Sequence, residues 1–227
     1  MRNKTIGIIG GFGPEGTAEF YLRLVDKHRT LHHGLQPDIL IRNVAVPRHL
    51  EEELLIHGRS IDKFAPLLVA AAKNLEKNGA DVIALPCNTL HIHEETIQTA
   101  IDVPFVSIIQ STVQFFSDHN ITRVGFLGSG VTIRENLFKK KAQNISFITV
   151  DERLQKRINT GLDIFVENQK GELLERALRD AFTFIRRTNA KDVLLACTDF
   201  GTLCPRDTTF HVHDTLDILV EATVNML

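Results

Sequence analysis

The sequence predicts an α/β protein of two similar domains related by internal duplication, each a parallel sheet flanked by helices. Three observations carry this. Short apolar runs alternate with stretches of helical spacing, the order that builds a parallel sheet covered on both faces. The order then returns: Arg123-Val124-Gly125-Phe126-Leu127-Gly128-Ser129-Gly130 echoes Thr5 to Gly11, down to the glycine within the strand. Finally, Cys87 and Cys197 each close a buried run, and the interval between them nearly equals that from Gly7 to Gly125. Ligands of such sheets lie at the carboxyl ends of the strands, so two facing halves enclose one functional cleft. The division expected is 1–104 with 214–227 for the first domain, and 105–213 for the second.

The elements follow in order. Thr5 to Ile9 reads as a buried strand closed by Gly10-Gly11-Phe12-Gly13, and Pro14 suits the first turn of a helix reaching His28. Ile39 to Val46 is a second strand ending at Pro47-Arg48. Phe64, Leu67, Leu68, Ala71 and Leu75 form an apolar stripe on a helix from Ser60 to Asn78, stopped by Gly79. Asp81 to Leu85 is the strand that delivers Cys87. A helix begun near His93 leads to a fourth strand, Pro104 to Ile109. In the second half, Arg123 to Gly130 opens the repeat and Phe147 to Val150 follows. A helix from Glu172 to Thr188 precedes Asp192 to Cys197, and Phe210 to Thr215 completes the strands. A last helix, Asp214 to Met226, is expected to fold back on the first half.

Composition narrows the classes. The 227 residues, 43% hydrophobic and 24% charged, are those of an ordinary globular protein, and a net charge of −2 gives no reason to expect nucleic acid or a membrane surface. The apolar stretch after Lys4 is short and broken by glycines, unlike a signal peptide or a membrane span. Three cysteines, Cys87, Cys197 and Cys204, make neither a disulfide framework nor a close-spaced zinc site, which places reduced thiols in the cytoplasm.

Chemistry concentrates at the strand ends. Cys87 is followed by Asn88-Thr89, and Cys197 by Thr198-Asp199, polar pairs with no reason to follow a core residue. One such cysteine reads as a small buried hydrophobe; two at matching places in a duplication read as a working pair. Cys204 has no counterpart and is structural. His91 sits four residues along from Cys87, so capping or packing under the site suits it better than nucleophilic catalysis. Glu51 to Glu53 and Lys139 to Lys141 read as solvated charge runs. Gly11-Phe12-Gly13-Pro14-Glu15-Gly16 matches a dinucleotide fingerprint, but the acidic residue that fingerprint needs after the second strand is replaced by Val46-Pro47-Arg48. An NADP-linked oxidoreductase and a carboxylate-binding sensor stand as alternatives from other classes.

Gly10 to Thr17, Pro86-Cys87-Asn88-Thr89-Leu90-His91 and Cys197-Thr198-Asp199 together resemble the cofactor-independent aspartate/glutamate racemase superfamily over nearly the whole chain. The resemblance implies an amino-acid racemase, with aspartate or glutamate as substrate, no cofactor and a homodimeric state. It also implies two bases, Cys87 on one face of the α-carbon and Cys197 on the other. Gly11, Phe12, Asn88, Thr89, Ser129, Thr132 and Thr198 are its substrate-binding candidates, with Arg48 and Lys170 for a side-chain carboxylate. Departures from the family pattern at Pro47-Arg48, Asp199 and Gly16 leave the chemistry in place and put the substrate in question. Hydantoin racemisation and maleate isomerisation are neighbouring chemistries within the same superfamily.

Overall fold

A computed structural model of the protein describes residues 4–54, 58–168, 170–205 and 209–227. The first half contains β1 (Thr5–Gly10), α1 (Pro14–Leu31), β2 (Asp38–Asn43), α2 (Arg48–Glu52), α3 (Phe64–Lys77), β3 (Val82–Ala84), α4 (Glu94–Gln98), β4 (Phe105–Val106) and α5 (Ile108–Asp118). The second half contains β5 (Arg123–Gly128), α6 (Gly130–Arg134), α7 (Leu137–Lys141), β6 (Ser146–Ile148), α8 (Glu152–Asn168), α9 (Glu172–Arg186), β7 (Asp192–Ala196), β8 (His211–Asp214) and α10 (Thr215–Val224). Every strand pair is parallel, and the two sheets share one order, β2-β1-β3-β4 and β6-β5-β7-β8.

Alternation along the strands builds three layers of core. Ile6, Ile8, Val82 and Ala84 of the first sheet and Val124, Phe126, Leu194 and Ala196 of the second face a common interior filled by α1, α5, α7 and α10. The intervening residues face outward. Ile9 and Ile83 pack under α3 through Phe64, Leu68 and Leu75, while Leu127, Val193 and Leu195 pack under α8 and α9. The repeated strand glycine now has a cause. A Cβ on Gly7 would lie 2.9 Å from Ala80 Cβ, and one on Gly125 would lie 2.6 Å from Ile185 Cγ2, so each lets an outer segment press on its sheet.

The last helix does pack on the first half: α10 lies against α1 and α5, and Arg23 of α1 reaches Asp214 at 2.7 Å and Asp217 at 2.8 Å. Several expected boundaries move. The fourth strand stops at Val106 because Ser107 caps α5, its side chain accepting the Gln110 N–H at 3.1 Å, so Ile108 and Ile109 are helical. Asp214 caps α10 in the same way through the Leu216 N–H, which ends β8 before Thr215. The second strand ends at Asn43 rather than Val46. The helix expected from Ser60 begins with a 3₁₀ turn, Ile61–Lys63, before α3. The division expected between 104 and 105 falls just before β4, whose hydrogen bonds are with β3 of the first sheet. Among the described residues, no helix is long and apolar enough to cross a membrane.

Candidate active site

β3 runs out through Leu85-Pro86 into Cys87, whose N–H donates back to the Leu85 carbonyl at 2.9 Å in a tight turn. A 3₁₀ turn, Thr89–His93, begins at once and aims the Leu90 and Thr89 N–H groups at the Cys87 sulfur. At the matching end of β7, Cys197 receives the Asp199 N–H and donates its own S–H to Asp199 Oδ2 at 3.7 Å. Both cysteines line one cavity of about 50 Å³ with Phe12, Gly13, Glu51, Leu54, Phe64, Asn88, Thr89, Leu90, Val166, Thr198 and Asp199. At roughly 10–15 Å³ per water, that is room for only a few, so the cleft is narrow.

Burial dominates the electrostatics here. It pushes the Cys87 thiol up to about 12, against the opposing pull of the Leu90 and Thr89 N–H groups, with Asp199 and Glu51 adding to the rise. Cys197 is likewise raised well above an ordinary thiol, first by burial, then by the Asp199 charge, with Cys87 contributing too. The influence of the Cys87 sulfur on Cys197 is the electrostatic sign that the two share the site. Asp199 is itself raised to about 6 by burial, and then by the charges of Glu15 and Glu51.

Two acceptors on lining residues are unspent. Thr215 Oγ1 gives its proton to the Leu195 carbonyl at 2.9 Å, so it can only accept from Asn88 Nδ2, also at 2.9 Å. That fixes the amide orientation and leaves Asn88 Oδ1 buried without a partner, on a side chain 2% exposed. Asp199 Oδ1 is buried and unpartnered as well.

The expected site residues divide by place. Phe12, Asn88, Thr89, Thr198 and the two cysteines line the cavity. Ser129 and Thr132 stand behind it, joined with Thr89 in a buried triangle of hydroxyls at 2.9 to 3.0 Å that fastens the first half to the start of α6. Gly11 also lies behind the lining: its φ is +92°, a Cβ would strike the Val44 carbonyl at 2.3 Å, and its N–H is spent on Thr17 Oγ1. Arg48 and Lys170 do not line the cavity. Arg48 Nη2 donates to Asp163 Oδ1 of α8 at 2.7 Å, bridging the halves, with Nη1 buried and unpartnered; Lys170 is exposed.

Other members of the site went unnoticed in the sequence. Glu51, taken there for solvated surface, lines the cavity, as do Leu54, Phe64 and Val166. Lys141 is not a free surface charge either, since it pairs at 3.0 Å with Glu94, which is 5% exposed. Asp199, marked in the sequence by its place two residues after a strand-end cysteine but not counted among the binding candidates, lines the cavity too. Beneath the site, the Ile108 N–H donates to His91 Nε2 at 3.0 Å, so the ring proton sits on Nδ1 and is donated to the Cys87 carbonyl at 2.8 Å. Burial lowers the His91 pKa to about 4 and keeps this neutral tautomer. The glycine turn after β1 is filled from across the cleft: a Cβ on Gly16 would lie 2.8 Å from Thr198 Oγ1, and one on Gly13 3.5 Å from Asp199 Oδ1. The second half thus occupies the space over which a dinucleotide fingerprint would hold its pyrophosphate. No group of His, Cys, Asp and Glu among the described residues is arranged to hold a metal ion.

Comparison with known proteins gives the same fold and a family. A family model described as Asp/Glu/hydantoin racemase matches residues 9–223. The broad specificity amino-acid racemase RacX of Bacillus subtilis (strain 168) is 30% identical over 139 residues, 60% of this chain and 59% of that protein. The chain therefore spans somewhat under two thirds of this relative's length. A Yersinia pestis crystal structure, provisionally assigned as an Asp/Glu racemase, superposes with a TM-score of 0.83 at 25% identity over 98% of each chain. An aspartate racemase homologue from Pyrococcus horikoshii OT3 superposes at 0.79 and 22% identity, again over 98% of each, a likeness of fold.

Proposed function

The chain belongs to the Asp/Glu/hydantoin racemase family, and from that premise we propose that it is a cofactor-independent amino-acid racemase with Cys87 and Cys197 as its two bases. The observation that carries the reading is the pair of thiols at equivalent strand ends, Cys87 after β3 and Cys197 after β7, lining a single cavity. An α-hydrogen is a very weak acid, and inversion requires its removal from one face and its replacement on the other. One sulfur as thiolate takes the proton, leaving a planar carbanion whose charge spreads onto the α-carboxylate. The opposite thiol then gives its proton to the other face. After turnover the two sulfurs have exchanged protonation states, ready for the opposite enantiomer.

The resting site holds both groups as thiols, since burial lifts both above their usual range. Substrate supplies the missing charge. Its α-ammonium suits the unspent acceptors Asn88 Oδ1 and Asp199 Oδ1, and a cation placed there favours passage of the Cys197 proton to Asp199 Oδ2, which that S–H already faces at 3.7 Å, leaving the sulfur as thiolate. The N–H groups of Thr89 and Leu90 already point at Cys87 and stabilise negative sulfur further. A narrow cavity walled by Phe12, Leu54, Phe64 and Val166 limits water around the carbanion.

The test is exchange in deuterated water. Incubation of the purified protein with a panel of L-amino acids is expected to place deuterium at the α-carbon and to generate the D-form. Cys87→Ser and Cys197→Ser are each expected to lower racemisation by at least about 10²-fold, the ordinary contribution of a positioned acid or base. Full activity in either variant overturns the two-thiol mechanism.

A further inference from the structure

The cavity carries a charge pattern that bears on which amino acid it takes. Its charged lining residues, among those described, are Glu51 and Asp199, and the rest of the space is walled largely by Phe12, Leu54, Phe64, Leu90 and Val166. The buried polar atoms left unspent in this lining, Asn88 Oδ1 and Asp199 Oδ1, are both acceptors. An acidic side chain needs donors, and beside the Thr89 and Thr198 hydroxyls the charged groups this lining offers are carboxylates. We propose that this site selects amino acids with neutral or cationic side chains over aspartate and glutamate, with Glu51 as the specificity-determining residue. The inference rests on the racemase reading and departs from the acidic substrates that the sequence leads one to expect.

Arg48 is the group that an acidic substrate would have to use. Its Nη1 lacks a partner, yet Nη2 is held by Asp163 Oδ1 at 2.7 Å, and its charge also acts on Glu51. Two carboxylates thus already share one guanidinium. Glu15 adds a third negative charge whose influence reaches both Glu51 and Asp199. The rise of the Asp199 carboxyl to about 6 points the same way, because burial and these like charges outweigh the opposing hydrogen bond from Cys197. A substrate carboxylate would join this excess, whereas an amide avoids it and an ammonium relieves it.

Glutamine and glutamate, nearly identical in shape, isolate the charge. In the wild-type protein kcat/KM for L-glutamine is expected to exceed that for L-glutamate by at least tenfold, with L-lysine also preferred to glutamate. Glu51→Gln is expected to shrink the glutamine-to-glutamate ratio severalfold, mainly by improving glutamate. Equal or better use of glutamate by the wild type, or an unchanged ratio in a folded Glu51→Gln protein, overturns the proposal. Equilibrium binding of the same amino acids to the Cys87→Ser variant reads the preference without turnover. Tighter binding of glutamine there supports the selectivity even if no amino acid is racemised, a result that would count against the racemase reading alone; tighter binding of glutamate overturns the selectivity.

Discussion

At the scale of single residues, Asp199 shows how the site acts against stability. Its carboxyl rises from an ordinary 3.8 to about 6, chiefly through burial and then through Glu15 and Glu51. The folded protein therefore holds this proton more tightly than the unfolded chain does. The stability it contributes is complete below pH 3.8, is lost as pH rises through 6, and stays lost above. Asp199→Asn removes that loss. The variant is expected to gain roughly 1–3 kcal/mol over wild type at pH 7, on about 1.4 kcal/mol per pKa unit, and little at pH 4, in urea unfolding at each pH. A gain independent of pH would mean that charge is not the cause. Turnover is expected to fall in the same variant, because the Cys197 thiol loses its carboxylate partner. The sequence made Cys87, Cys197, Asn88 and Thr198 legible, since polar residues directly after a buried strand need a purpose there. It concealed Glu51 and Val166, because which side of a helix meets the cleft is settled by packing between halves and leaves no local trace.

Among the elements, the join between the Cys87 turn and α5 depends on one buried imidazole. His91 spans from the Cys87 carbonyl to the Ile108 N–H and so locks the Cys87 turn to the first residue of α5. His91→Phe leaves both backbone groups unpaired, at a cost of about 2–4 kcal/mol for two buried unsatisfied groups. The pH dependence separates this role from mere filling of space. With a folded pKa near 4, His91 contributes stability above its unfolded value of 6.5 that is lost as pH falls toward 4. The advantage of wild type over His91→Phe in chemical denaturation is therefore expected to narrow between pH 6.5 and 4, and a constant gap would argue against the neutral tautomer. The same junction explains a misplaced boundary. Phe105 to Ile109 is one apolar run, and periodicity cannot reveal that Ser107 turns it from strand into helix by accepting the Gln110 N–H. The central strands were legible for the opposite reason: β1, β3, β5 and β7 each carry a short apolar run closed by glycine, proline or a polar pair.

For the molecule as a whole, the duplication yields two like sheets and yet one interior. The core between them draws Ile6, Ile8, Val82 and Ala84 from one sheet and Val124, Phe126, Leu194 and Ala196 from the other. α10 fills that layer after the last strand of the second sheet and pairs with α1 through Arg23 to Asp214 and Asp217, and through Lys27 to Glu221. Arg48 and Asp163 add a bridge at the cleft. Neither sheet can expose its inner face without uncovering the other, so the halves are expected to unfold together. The two cysteines report on this separately, Cys87 from the first half and Cys197 from the second. Pulse labelling with a maleimide across a urea series, read by mass spectrometry, is expected to give one midpoint for both thiols, coincident with the loss of far-UV circular dichroism. Distinct midpoints would mean that each sheet keeps its own stability and that the shared layer only bridges two independent domains. A common midpoint has a consequence for catalysis: a substitution deep in the shared layer, such as Leu219→Ala on α10, is expected to cost about 2–5 kcal/mol and to expose both thiols together.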